Sequence, residues 1–340
     1  MVPKTAKKYL NFPDDLKAKL NQNEVQLPPP SWIFKEAFEA AETMNYYQTE
    51  WLYDEVRRAY ARYAGVDWER VWIAPGSDLF YDELFLHTMN RKRLTAPRPT
   101  YFAFELQAEH VGFEIVGPRL RPPSWKLDMD ATLRYANTSD FVYIDNPNNP
   151  TGSLLLNEEG FFKLMEGVGE RPVLIDEAYY EFSGVTFKDY VGEYENLSIL
   201  RTMSKAFRLA GLRVTFLIVG DSYVEMMHKE TLRFRVPTFS LLVALAALRN
   251  PQYALETAEF VNKEKKRLSE ELKSLGFEVY PSWASYILVR SNSRDLAERL
   301  ARRGVLIKDV SWQLEPGFIR ITIGSRDDND LLLEELAELT

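Results

Sequence analysis

Four kinds of reactive or ligand-gripping side chain stand directly behind short apolar runs in this 340-residue chain. Lys205 follows LSILRT (197 to 202) in the stretch RTMSKAFRLAGLR, with Ser204 before it and Arg213 eight residues beyond. An amine in such a place can form a Schiff base with a carbonyl compound. Asp176 and Tyr179 lie in DEAYYEF (176 to 182), at the end of PVLIDE. DNPNNPTG (145 to 152) ends DFVYID and supplies Asn149, whose amide can donate to a ligand oxygen while the prolines and glycine fix the turn. Any one of these has an ordinary explanation as a solvated lysine, a turn residue or an ion pair. Together they offer an amine, a carboxylate with a phenol, and an amide at what read as three strand ends.

Those side chains converge only if the runs behind them are neighbouring strands. Seven apolar segments, RVWIAP (70 to 75), RLTAP (93 to 97), FEIVG (113 to 117), DFVYID (140 to 145), PVLIDE (172 to 177), LSILRT and VTFLIVG (214 to 220), alternate with longer amphipathic stretches. The alternation predicts an α/β domain around a mostly parallel sheet, which binds ligands beyond the carboxyl ends of its strands. After about residue 235 the texture changes. A long charged amphipathic segment (255 to 276) leads into SYILVR, SRDLAERLARRG, VLIKD and FIRITIG, which read as a smaller α+β domain. The expected division is a large domain over 32–235 and a small domain made of 1–31 and 236–340. The three prolines of QLPPPSW mark the first crossing between them.

Composition narrows the function class. With 42 basic and 50 acidic residues the formal charge is −8, which disfavours nucleic acid and anionic membranes as partners and favours small-molecule chemistry. The absence of cysteine excludes disulfides and thiolate catalysis, and the widely spaced His87, His110 and His228 predict no metal site. The longest uncharged apolar stretch, LLVALAAL, falls far short of the roughly 20 residues needed to span a bilayer, so a cytoplasmic protein is expected.

In this order and at these separations, NNPTG, DEAYYEF and SKAFRLAGLR resemble the pyridoxal-phosphate-dependent aminotransferases of the aspartate aminotransferase fold, and most closely the histidinol-phosphate aminotransferase family. The resemblance runs from LNQNE (20 to 24) to RITIG (320 to 324). It implies a seven-stranded, mostly parallel large domain that binds pyridoxal 5′-phosphate. Lys205 would hold the cofactor covalently and move a proton at the substrate α-carbon. Asp176 would keep the pyridine nitrogen protonated, and Tyr179 and Asn149 would hydrogen-bond the phenolic oxygen. Ser204 and Arg213 would grip the phosphate, joined by Gly76, Ser77 and Asp78 in a turn that opens a helix. Tyr101 would stack on the ring. Tyr47, in MNYYQTE, would reach the phosphate of a neighbouring subunit, which implies a homodimer with composite sites.

For the substrate, Arg320 in FIRITIG resembles the arginine that takes a carboxylate in a bidentate fork, and Asn23 the asparagine that closes over the substrate. The implied reaction converts imidazole acetol phosphate and L-glutamate to L-histidinol phosphate and 2-oxoglutarate, in histidine biosynthesis. Several positions depart from the family pattern. Lys308 stands where an arginine is usual, Ala284-Ser285-Tyr286 replaces a stretch containing asparagine, GSDL replaces GADE, and LRVTF replaces a run with glycine and tyrosine. Lysine is a point charge without the planar fork, so phosphate recognition would be less geometrically selective. These departures keep open an aromatic or broad-specificity aminotransferase, and less strongly a threonine-phosphate decarboxylase. A non-catalytic sensor is disfavoured by the complete set of Lys205, Asp176, Tyr179, Asn149 and Arg213.

Overall fold

The computed structural model describes residues 2–87, 92–224 and 234–339; His228 lies outside them. The chain's first strand, β1 (Ala18–Leu20), belongs to a second sheet, and the seven apolar runs then form β2 to β8. These are β2 (Val71–Ala74), β3 (Arg93–Thr95), β4 (Glu114–Val116), β5 (Phe141–Asp145), β6 (Val173–Asp176), β7 (Leu197–Thr202) and β8 (Thr215–Val219). They make one sheet in the order β2-β8-β7-β6-β5-β3-β4, in which β8 alone runs antiparallel to its neighbours.

The central strands are buried along their whole length, so their sequences are continuous apolar runs without polar alternation. Period-two alternation still sorts their side chains between two cores. Val142, Ile144, Ile175, Ile199 and Phe216 face one side, where the helices Glu50–Ala64 and Glu158–Val168 pack. Tyr143, Leu174, Leu200 and Leu217 face the other, against Phe80, Tyr81 and Phe85 of the helix Ser77–His87 and Phe104 of the helix Phe102–His110. The run LLVALAAL, apolar on every face, lies in the mostly buried helix Thr238–Arg249, which packs on Glu50–Ala64.

Strand order explains how Lys205 and Arg213 meet. Because β8 returns antiparallel beside β7, the loop joining them begins and ends at the same sheet edge. Its base is closed by Met203 N–H donating to Val214 C=O at 3.0 Å, and its middle is tied back by Leu209 N–H to Met203 C=O at 3.1 Å. The ten residues 204–213 are thereby folded over one strand end.

The second sheet has the order β1-β11-β12-β10-β9, with β9 (Glu278–Val279), β10 (Tyr286–Arg290), β11 (Val305–Asp309) and β12 (Phe318–Thr322). Sequence patterning left the first 30 residues without a partner; β1 pairs parallel with β11. The long helix Gln252–Ser274 backs this sheet and packs on the helix Arg326–Ala337, which Ser325 and Asp328 start with a reciprocal capping box. The two sheets are stitched across a cleft. Trp283 N–H donates to Gly152 C=O at 2.8 Å, and the Tyr286 hydroxyl donates to Asn148 C=O at 2.7 Å.

Candidate active site

Register places the floor of the cleft. Asp145 and Asp176 are partners in the β5–β6 ladder, and Leu200 on β7 opposes Asp176, so two carboxylates sit side by side at the carboxyl edge of the sheet. The Tyr81 and Tyr143 hydroxyls both donate to Asp176 Oδ2 at 2.9 Å, and Ala178 N–H donates to Oδ1 at 3.0 Å. Burial raises the Asp176 pKa above the ordinary carboxylate value, while these hydrogen bonds oppose the rise. Asp145 is pushed up to about 7 by burial, and it accepts from Thr100, Asn148 and the backbone of Asn149. That trio sets the turn from which Asn149 projects.

Lys205 stands beside this floor, its Nζ 5.6 Å from the centroid of the Tyr179 ring. Burial, reinforced by Arg320, lowers its pKa to about 8. The amine is therefore a better nucleophile at neutral pH than an exposed lysine. Around it runs a hydrogen-bonded chain from both sheets. Asn23 Nδ2 donates to the Tyr179 hydroxyl at 2.8 Å, and Asn23 N–H donates to Thr322 Oγ1 at 2.9 Å. Arg320 Nη1 donates to Asn149 Oδ1 at 2.6 Å and Nη2 to Asn21 C=O at 3.0 Å, leaving its buried Nε without a partner. Lys308 faces Arg320 across the β11–β12 register, so two cations project from adjacent strands.

At the opposite end, Arg213 is half exposed, and among the described residues its ion pair is with Asp78 at 3.4 Å. Gly76 has φ +97, and a Cβ there would lie 2.4 Å from Arg213 Nη2. The missing side chain is what lets the arginine lie across the turn. Ser77 opens the helix Ser77–His87, and Ser204 is linked to Thr202 at 2.9 Å beneath it. These groups present backbone donors, hydroxyls and a guanidinium to one small volume, the chemistry an oxyanion requires.

One cleft of about 480 Å³ is lined by Asn23, Ser77, Tyr101, Asn149, Asp176, Tyr179, Ser204, Lys205, Arg213, Lys308 and Arg320. Gly76 and Asp78 adjoin it through Arg213. Tyr47 stands apart: it is 90% exposed and touches Phe234 edge to face at 6.1 Å. Among the described residues no three His, Asp or Glu side chains are grouped to hold a metal, and no helix is long and apolar enough to cross a membrane.

The sequence profile described as aminotransferase class I and II matches residues 16–336. A histidinol-phosphate aminotransferase of Sulfurisphaera tokodaii is 32% identical over 94% of this chain and 90% of its own length. One from Chlorobium phaeobacteroides is 35% identical over 94% of this chain and 90% of its own. The chain belongs to this aminotransferase family. The crystal structure of the Sinorhizobium meliloti histidinol-phosphate aminotransferase in complex with pyridoxal 5′-phosphate superposes with a TM-score of 0.85, covering 100% of this chain and 95% of that one at 20% identity. At that identity the likeness speaks for the aspartate aminotransferase-like fold.

Within this aminotransferase, sequence reasoning overlooked Tyr81 and Tyr143, the two phenols that hold Asp176. Each reads as a core aromatic, one in an amphipathic helix and one in a strand, and only the β5–β6 register brings Tyr143 to the next strand's carboxylate. Thr202, Asn21 and Glu24 also line the cleft without having been singled out. Asn21 and Glu24 had a signal, since LNQNE was already read as part of the site on the strength of Asn23.

Proposed function

We propose that this aminotransferase binds pyridoxal 5′-phosphate and converts imidazole acetol phosphate and L-glutamate to L-histidinol phosphate and 2-oxoglutarate. The observation that carries the reading is the meeting in one cleft of a nucleophilic lysine, a buried carboxylate and an oxyanion cradle. They fit this cofactor part for part. Gly76 leaves the room that Arg213 fills in the anion cradle, and Arg320 Nε is a buried donor still lacking an acceptor such as a substrate carboxylate. When bound, the cofactor supplies an aldehyde and a cationic ring that takes up the electron pair left at the substrate α-carbon.

The residues divide the remaining work. Lys205 would hold the cofactor through its aldehyde carbon and would move the proton at the substrate α-carbon; burial lowers its pKa to about 8, which favours the uncharged amine that the first task needs. Asp176 keeps a proton on the ring nitrogen and is itself oriented by Tyr81 and Tyr143. Tyr179 and Asn149 hydrogen-bond the phenolic oxygen, and Tyr101 covers the ring face. Gly76, Ser77, Asp78, Ser204 and Arg213 enclose the phosphate. Arg320 grips the carboxylate of glutamate and Lys308 the phosphate of the alternative substrate, while Asn23 seals the cleft above Tyr179.

We further propose a cytoplasmic homodimer whose Tyr47 completes the neighbouring phosphate site, with residues 32–235 as the large domain and 1–31 with 236–340 as the small one. Phe38, Tyr46, Tyr47 and Trp51 are between 65% and 90% exposed in a single chain, an aromatic surface that a second subunit would cover.

One half-reaction tests the substrate. Histidinol phosphate added to the cofactor-loaded enzyme should convert the aldehyde-form absorption band to the amine form faster than phenylalanine does at equal concentration. Faster conversion by phenylalanine or tyrosine would reassign the enzyme to aromatic amino acids, the reading that Lys308 and Ser285 motivate. Release of carbon dioxide from threonine phosphate without keto-acid formation would reject transamination.

A further inference from the structure

A second cleft of about 340 Å³ lies behind the first, between the turn at 98–106, the segment 119–125 and the loop joining β11 to β12. Phe102 lines both clefts. The walls of the second are aromatic. Trp312, 59% exposed, meets the Phe102 ring edge to face at 5.9 Å, and Trp125 meets Phe318 at 5.6 Å. An open cleft with such walls takes a planar apolar group.

Its polar groups are donors left over from the protein's own bonding. Trp125 is 2% exposed, yet its indole N–H has no hydrogen-bond partner. Its backbone is also held at φ +50, a conformation that bulky side chains rarely adopt. The exposed Arg119 and Arg121 line the same cleft, and neither forms an ion pair among the described residues. The acidic residues at the site are already engaged. Arg98 takes Glu105 at 3.0 Å and Glu109 at 3.9 Å, and Glu315 lies 3.7 Å from Arg290. What remains open to a ligand is two free guanidinium groups and the ring surfaces of Phe102 and Trp312, and that combination matches a flat ring bearing a negative charge.

We propose that this second cleft is a binding site for a small aromatic anion, its ring against Phe102 and Trp312 and its charge toward Arg119 and Arg121. The shared Phe102, whose ring centroid lies 6.0 Å from Lys308 Nζ, joins the site to the substrate end of the active cleft. Any coupling between the two sites would run through Phe102, and linkage would make it reciprocal.

Isothermal titration of the cofactor-loaded enzyme with phenylacetate tests this, with phenylacetamide and cyclohexylacetate as the uncharged and non-aromatic controls. Phenylacetate should bind with saturation, and each control at least about tenfold more weakly. The double variant Arg119→Gln, Arg121→Gln should lose phenylacetate binding by about tenfold or more while keeping its transamination kcat. Glutamate should shift the phenylacetate affinity by a factor that levels off at saturation. Unchanged affinity in the double variant overturns the proposal, as does equal affinity for either control. A glutamate effect that grows without limit would place phenylacetate in the active cleft and equally reject the second site.

Discussion

Lys205 shows how burial sets chemistry at the scale of a single residue. Its pKa falls from 10.5 to about 8, so the fold disfavours the charged amine. The cost to stability is fully present below pH 8 and is relieved as pH rises toward 10.5. In cofactor-free protein, amine-selective labelling followed by mass spectrometry should therefore accelerate at Lys205 as pH rises through about 8 and then level off, whereas an exposed lysine keeps accelerating toward 10.5. Lys205→Ala should abolish turnover. Burial also disfavours the charge of Asp176 and raises its pKa, but the two phenols that donate to it oppose that rise. Tyr81→Phe removes one of two such hydrogen bonds and should cost about 1.5–3 kcal/mol in denaturant unfolding. Cofactor affinity should weaken in the same variant, and Tyr143→Phe should behave alike. An unchanged unfolding midpoint in both would mean that Asp176 is held neutral and needs neither phenol.

Among the elements that build the site, the turn before the helix Ser77–His87 is sensitive to a single methyl group. Gly76→Ala must accept φ +97 and a Cβ 2.4 Å from Arg213 Nη2, so the guanidinium has to move off the turn. Backbone strain of this kind costs about 1–3 kcal/mol. Equilibrium dialysis with inorganic phosphate and with pyridoxal 5′-phosphate should both report weaker binding, because the lost geometry belongs to the anion cradle. Wild-type affinity for both ligands would remove Arg213 from that cradle. The loop between β7 and β8 carries the same lesson. Nothing in SKAFRLAGLR states that its ends return to one sheet edge; the antiparallel turn of β8 decides that.

At the scale of the whole molecule, the cleft exists because two sheets lean on each other through Trp283, Tyr286 and Asn23. The proposed composite dimer would add a third contributor, and mixing variants tests it. Lys205→Ala and Tyr47→Ala homodimers should each be impaired, but unfolding and refolding them together should create mixed dimers with one intact site. Activity above the sum of the separate proteins is the expected result. Strict additivity, with mixed dimers demonstrated by mass, would confine Tyr47 to its own subunit.

The sequence by itself determined the strands and most of the chemistry. Burial on both faces selects continuous apolar runs, and the reactive residues behind three of the seven are visible without coordinates. Lys205, Asp176, Tyr179 and Asn149 were legible in this way, Arg213 and Arg320 only through the resemblance, and the class I and II aminotransferase family followed from the order of NNPTG, DEAYYEF and SKAFRLAGLR. Tertiary structure alone decided what those residues touch. The pairing of β1 with β11, the phenols on Asp176, the arginine on Asn149 and the facing of Lys308 with Arg320 all depend on register between segments far apart in the chain. Local pattern records which face of an element is buried. It does not record which distant element covers that face, because that choice is settled by packing energies summed over the whole core.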